Sequence, residues 1–191
     1  MSSYSSRRSL RLGNYDYSQG GAYFVTICTQ DRVLRFGRIV DGQMELNATG
    51  TMIQGVWGRL NEHYAGLEVD EFVVMPNHLH GILVLGCDDA TIPEEDRQWP
   101  GRARRVPRRR LGCPAPTGGL SLSEIVRRFK TFTANQYRKA ISLQELPDPG
   151  RLWQRNFYEH VIRNERDLSA IREYMVNNPL QWHLDRENPD V

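Results

Sequence analysis

Alternating and continuous runs of apolar residues divide the chain before any single side chain is considered. From 22 to 29, AYFVTICT is dominated by β-branched and aromatic residues and suits a central strand. RVLRFGRIVDGQMELN follows as a hairpin, with Asp41-Gly42 supplying the turn chemistry. At Thr49 the period changes. Met52, Val56, Leu60 and Tyr64 fall on one helical stripe with Ile53 and Trp57 beside it, which predicts a helix over 50–64. Strands are predicted over 68–75 and 77–85, because VVMPNHLHGILVL at 73–85 reads as two buried strands broken at Met75-Pro76-Asn77. Further on, Ser121-Leu122-Ser123-Glu124 has capping-box spacing, and Ile125, Phe129, Phe132 and Gln136 set a helical stripe to Lys139. WQRNFYEHVI, from Trp153 to Ile162, reads as a strand, and Asn164 caps a last helix that runs to Asn178 and is stopped by Pro179. In order this is β, hairpin, α, β, β, α, β, α. The βαββαβ core is the pattern of a ferredoxin-like α+β sandwich, with one helix added at the C-terminal end.

Composition adds boundaries to this picture. A length of 191 residues fits one domain with a sound core, and 39% aliphatic and aromatic residues is ordinary for a soluble protein. Residues 1–20 are rich in Ser, Arg and Gly and read as a flexible arm, made basic by Arg7, Arg8 and Arg11. The domain proper is expected over 21–182, with 87–119 inserted as a long charged loop and 183–191 left as a tail. No apolar run approaches the ~20 residues of a membrane span. MSSYSSRRSLRL lacks the apolar stretch of a secretory signal, so a cytoplasmic location away from membranes is expected. Cys28, Cys87 and Cys113 are odd in number and have no Cys-x-x-Cys spacing, which argues for free thiols rather than a disulfide framework or a structural zinc site.

The net charge of +2 conceals a separation along the chain. Asp88, Asp89, Glu94, Glu95 and Asp96 form an acidic block, and Arg97, Arg102, Arg104, Arg105, Arg108, Arg109 and Arg110 follow at once. Such a run marks either a solvated loop or a contact with a phosphate-rich partner. The 121–139 helix carries Arg127, Arg128, Lys130, Arg138 and Lys139 away from its apolar stripe, and the same two readings apply.

The candidate chemistry begins at His78 and His80. Side chains two apart in a strand lie on one face, so both imidazoles project toward one point from an otherwise apolar strand. A pair of core histidines satisfied by neighbours is the plain alternative, but two in one apolar strand are harder to satisfy, and neutral imidazole is a common metal ligand. On the last helix Tyr174 and Asn178 are four residues apart and therefore neighbours at the edge of the stripe formed by Leu168, Ile171 and Met175. Taken alone they read as a ring packing at a core margin and a C-terminal cap.

Val-Val-Met-Pro-Asn before His78-Leu79-His80, then Trp153-Gln154-Arg155-Asn156-Phe157-Tyr158-Glu159-His160, then Tyr174-Met175-Val176-Asn177-Asn178-Pro179 resemble the motifs of the REP-associated tyrosine transposases, within the HUH single-tyrosine, IS200-like superfamily. The resemblance covers the chain from Tyr15 to Trp182, the 87–119 loop excepted. It implies a ferredoxin-like fold whose added helix carries the nucleophile, Tyr174. It also implies a divalent cation held by His78, His80 and Asn178, and a substrate of single-stranded DNA with a hairpin. Two imidazoles and an amide oxygen without a thiolate suit Mg²⁺ or Mn²⁺, and no small-molecule cofactor is expected. DNA contacts are expected from Arg104, Arg105, Arg108, Arg109, Arg110, Arg127, Arg128 and Lys130, in a monomer or homodimer. Two other readings compete. Histidine-triad phosphohydrolases use a third alternating histidine, where position 82 here is Ile. A non-catalytic, domesticated hairpin-binding relative would have lost His78, His80 or Tyr174, and all three are present.

Overall fold

The computed structural model describes residues 20–86, 121–143 and 150–189. Among these described residues, six strands and four α-helices follow one another as β1 (Gly21–Cys28), β2 (Gly37–Val40), β3 (Gln43–Leu46), α1 (Ala48–Gly58), α2 (Leu60–His63), β4 (Leu67–Val74), β5 (His78–Leu85), α3 (Leu122–Leu143), β6 (Tyr158–Ile162) and α4 (Glu165–Asn177). The result is a mixed α+β fold. Its main sheet has the order β4-β5-β1-β6, with every neighbouring pair antiparallel. β2 and β3 form a separate hairpin whose turn residues, Asp41 and Gly42, both have positive φ, the backbone that a tight two-residue hairpin requires.

The sheet is covered on both faces, and the alternation of β1 and β5 says by what. Tyr23, Val25, Ile27, Leu79, Leu83 and Leu85 belong to one buried cluster with Ile53, Trp57 and Leu60 of the first helical region and Leu122, Ile125, Val126 and Phe129 of α3. Ala22, Phe24, Ile82 and Val84 form a second cluster with Leu168 and Met175 of α4. His78 and His80 share parity with Ile82 and Val84, so they lie on the α4 face. Gly81, between them and Ile82, faces the other way: a Cβ there would stand 2.6 Å from Trp57 Cζ2, so only glycine lets the indole pack flat on the strand.

Several expectations are corrected. The first helical region breaks at Arg59 into two pieces, and its buried apolar side chains are Ile53, Trp57 and Leu60, while Met52 and Val56 lie at the margin. On α3, Phe132 is exposed and the buried stripe continues through Thr133 and Tyr137. The strand expected from Trp153 begins only at Tyr158. Trp153 makes a single bridge to Thr29, with its ring against Phe36 and Phe129 and its indole N–H donating to Thr133 Oγ1 at 2.9 Å. The Gln154 and Asn156 carbonyls accept from Lys130 Nζ at 3.1 and 2.8 Å instead of joining a ladder. The segment set apart as a tail packs on the domain as far as it is described: Trp182–Leu184 is a short 3-10 turn, and Asp185 and Asn188 are buried. The arm, the 87–119 loop with Arg104, Arg105, Arg108, Arg109 and Arg110, and Cys87 and Cys113 lie outside the described residues. Among those described, Cys28 is a free thiol, and no helix is long and apolar enough to cross a membrane.

Candidate active site

β5 delivers the two histidines as its spacing demands. Both are buried, with ring centroids 4.4 Å apart and Nε2 atoms 3.0 Å apart. Their Nδ1 atoms are held from behind, His78 by Asn77 Oδ1 at 2.9 Å and His80 by Thr26 Oγ1 at 2.8 Å. Phe24 stacks on His80 at 5.2 Å, and Trp182 lies 6.1 Å from His78. Burial, followed by the Arg32 charge, pushes His78 from 6.5 down to about 3. Burial, followed by His78, lowers His80 well below the ordinary range, so both rings are neutral at physiological pH and both can offer a lone pair.

α4 brings the tyrosine. Asn164 caps the helix by accepting from Asp167 N at 2.9 Å, and Leu168 and Met175 bury its inner stripe. Arg172 clamps it to β4 through both oxygens of Asp70, at 2.9 Å for Nε and 2.5 Å for Nη2, where a register shift between Val69 and Phe72 interrupts the ladder. Two residues further on, Tyr174 Oη lies 3.2 Å from His80 Nε2 while the residue as a whole stays 43% exposed, so the side chain touches the buried pair from a site open to a large substrate. Burial first, then the Asp185 charge, raises the phenol's pKa, opposed by the Asn178 amide. Asn178, at the end of the same helix, is buried and its Oδ1 has no hydrogen-bond partner.

One candidate ligand was missed by sequence reasoning. Asp185 Oδ2 lies 3.7 Å from His78 Nε2, buried and without a hydrogen-bond donor, while Oδ1 accepts from Glu187 N at 2.7 Å. Ligand atoms of His78, His80 and Asp185 all fall within 4.8 Å of one another. Nothing in the sequence marks Asp185, since it sits among Arg186 and Glu187 in an ordinary charged run and reaches β5 only through tertiary packing. Asn77, by contrast, stood next to His78 in the motif.

The basic residues divide. Arg127 and Arg128 are exposed and both pair with Glu124, at 2.6 and 2.8 Å, which leaves guanidinium surface open to solvent. Lys130 is turned inward to its two carbonyls and the Phe157 ring, and burial pushes its ammonium from 10.5 down to about 8.

The buried Asp185 oxygen without a donor, beside two neutral imidazoles whose Nε2 atoms converge, fits a divalent cation: an unpaired buried acceptor is costly, and a cation would satisfy all three groups. Together the sheet and these groups define a class of protein: an antiparallel α+β domain in which a central His-x-His strand meets a tyrosine carried by a separate helix. No family model matches the chain. An "Uncharacterized protein" of Haemophilus influenzae is 37% identical over 182 residues, covering 94% of this chain and 92% of its own. A second protein of the same organism, named "Putative REP-associated tyrosine transposase", is 26% identical over 172 residues, 89% of this chain and 77% of its own. A solved structure described as a REP-associated tyrosine transposase bound to a REP hairpin matches at a TM-score of 0.49 with 19% identity, over 97% of this chain and 77% of that one. The chain belongs to one family with the first relative, and it is similar to the second over most of its length.

Proposed function

We propose that this protein is a metal-dependent transposase or endonuclease that cleaves and rejoins single-stranded DNA beside hairpins through a covalent phosphotyrosine. The observation that carries the reading is the placement of Tyr174 Oη 3.2 Å from His80, at the open edge of a buried histidine pair. The strand order β4-β5-β1-β6 supports reading the domain as a ferredoxin-like sandwich with the nucleophile on an added helix. His78, His80 and Asp185 would hold Mg²⁺ or Mn²⁺ with Asn178 as a further oxygen donor, and imidazole nitrogens in the set favour Mn²⁺ of the two. A bound cation supplies charge neutralisation at an anionic phosphodiester and makes phosphorus easier to attack.

What the chain's own residues contribute follows from the geometry. α4 holds the phenol at a fixed distance from the pair, so attack does not have to wait on a mobile side chain. The Tyr174 Oη to phosphorus bond forms as the phosphorus to O3′ bond breaks. The phenol gives up its proton and the departing 3′ oxygen gains one. Because the energy of the broken bond is retained in the phosphotyrosine, a second hydroxyl can reverse the step and join strands. Exposed Arg127 and Arg128, with Arg104, Arg105, Arg108, Arg109 and Arg110 of the loop, would track the phosphates of a hairpin. We place the protein in the cytoplasm, as a monomer or homodimer. Incubation with single-stranded hairpin oligonucleotides and Mn²⁺, followed by a denaturing gel, tests the reading: a protein-DNA adduct supports it. Hairpin binding with no adduct under any divalent cation would favour a domesticated, non-catalytic binder instead.

A further inference from the structure

Behind the histidine pair, Asn77 uses its backbone carbonyl and both polar atoms of its side-chain amide. It is fully buried. Its backbone carbonyl accepts from Thr29 N at 2.8 Å, and its side-chain Nδ2 donates to the carbonyls of Arg32 at 3.1 Å and Glu187 at 2.5 Å. Two carbonyl oxygens can only accept, so the amide orientation is determined: turned over, Oδ1 would face both of them. Oδ1 must then be the atom beside His78 Nδ1, and since an amide oxygen can only accept, the imidazole must donate from Nδ1. A neutral ring has one N–H. Nε2 of His78 is therefore left with its lone pair pointing at the site.

The support behind His80 differs in kind. Thr26 Oγ1 is a hydroxyl that can donate or accept by rotating, so it dictates neither tautomer. We propose that Asn77 is a positioning residue that locks His78 in the Nδ1–H form and, through the same amide, seats the segment bearing Asp185, whereas Thr26 leaves His80 free to reverse its tautomer. The proposal rests on the metal reading above for its purpose, but its central observable belongs to the metal-free protein and does not depend on whether DNA is cut. In the absence of metal, His80 can then donate from Nε2 to His78 Nε2, 3.0 Å away, and it shifts its proton to Nδ1 and toward Thr26 when a cation takes both lone pairs.

Long-range ¹H–¹⁵N correlation on the EDTA-treated full chain reads the tautomers directly. His78 is expected to show a protonated Nδ1 and a lone-pair Nε2. Asn77→Ala should mix the two forms and weaken Mn²⁺ binding, read by electron paramagnetic resonance, by roughly 10- to 100-fold. Asn77→Asp keeps an acceptor beside His78 but loses both bonds to the Arg32 and Glu187 carbonyls, so it should restore the Nδ1–H form while the Asp185 segment loosens, and Thr26→Val should leave His78 unchanged, which separates the tautomer lock from general loosening. Wild-type His78 protonated at Nε2, or an unchanged His78 tautomer in folded Asn77→Ala, overturns the proposal. Should Asn77→Ala not fold, the wild-type spectrum still decides.

Discussion

Tyr174 and Tyr158 are the two phenols that could attack, and their surroundings separate them. Tyr158 stands on the outer strand opposite Thr26, and His160, the base it would need, is engaged with Asp167 at 3.0 Å. Tyr174 reaches His80 itself. We predict that Tyr174→Phe, which removes one oxygen and keeps the ring, eliminates the covalent adduct, while Tyr158→Phe leaves its rate within ~10-fold, about 1.4 kcal/mol in barrier; peptide mapping of the adduct to Tyr158 would reverse the assignment. The proposed cation would occupy the position where Tyr174 Oη contacts His80 Nε2 at 3.2 Å, so Tyr174→Phe should bind Mn²⁺ at least as tightly as wild type, and a clear loss of affinity would count against that crowding. Acid stability tests the burial of the pair. His78 falls from 6.5 to about 3 on folding, so between those values the unfolded chain binds more protons and stability drops as pH falls. At pH 5 in EDTA the loss from this residue is about 2 kcal/mol relative to neutral pH, and thermal melts of His78→Gln should show a correspondingly flatter acid limb.

At the scale of elements, the catalytic reading depends on where α4 is fastened. Its inner stripe needs only Leu168 and Met175 against Ile82 and Val84, a contact that would tolerate sliding, whereas the two-pronged Arg172 to Asp70 pair fixes its position along β4. Arg172→Met keeps the stem and strands a largely buried carboxylate, which should cost about 2 kcal/mol in stability and slow adduct formation further than that loss alone explains. Normal adduct kinetics at a temperature where the variant is fully folded would show that the clamp does not position Tyr174. The elements themselves were largely legible in the sequence: β-branched density marked β1, Asp41-Gly42 marked the hairpin, and Asn164 with Pro179 bracketed α4. The 153–157 stretch was not, because its residues have strand composition while Lys130 and Thr133 of α3 compete for its hydrogen bonds from a distant part of the chain. Local pattern records what a segment prefers, and that competition is settled only by packing. Asp185 is the same case in the site. His78 and His80 announce themselves by spacing and Tyr174 only by its likeness to a family motif, but a carboxylate reaching β5 across a hundred residues leaves no local trace.

Across the whole molecule, the proposed function assigns affinity and chemistry to different surfaces, and this makes them separable by experiment. The histidine pair is buried and uncharged, so it can contribute little to long-range attraction of a polyanion. Arg127 and Arg128 lie on the outside of α3, and the loop adds a dense run of arginines against a net charge of only +2 for the chain. A phosphate backbone bound by such residues releases counterions, so the affinity for a hairpin oligonucleotide should fall steeply with salt, by a log-log slope of about 0.7 to 0.9 for each phosphate neutralised. Replacing Arg104, Arg105, Arg108, Arg109 and Arg110 together with Gln should flatten that slope by several units and weaken binding at low salt, while leaving the adduct rate at saturating DNA close to wild type. His78→Ala should do the reverse, abolishing the adduct with hairpin affinity and salt slope nearly unchanged. Fluorescence anisotropy across a salt series, paired with adduct formation at saturation, measures both quantities on each variant. A salt-independent affinity would remove the arginine loop and α3 as the DNA surface, and equal losses of binding and cleavage in His78→Ala would mean that the histidine pair holds the DNA instead of acting on it.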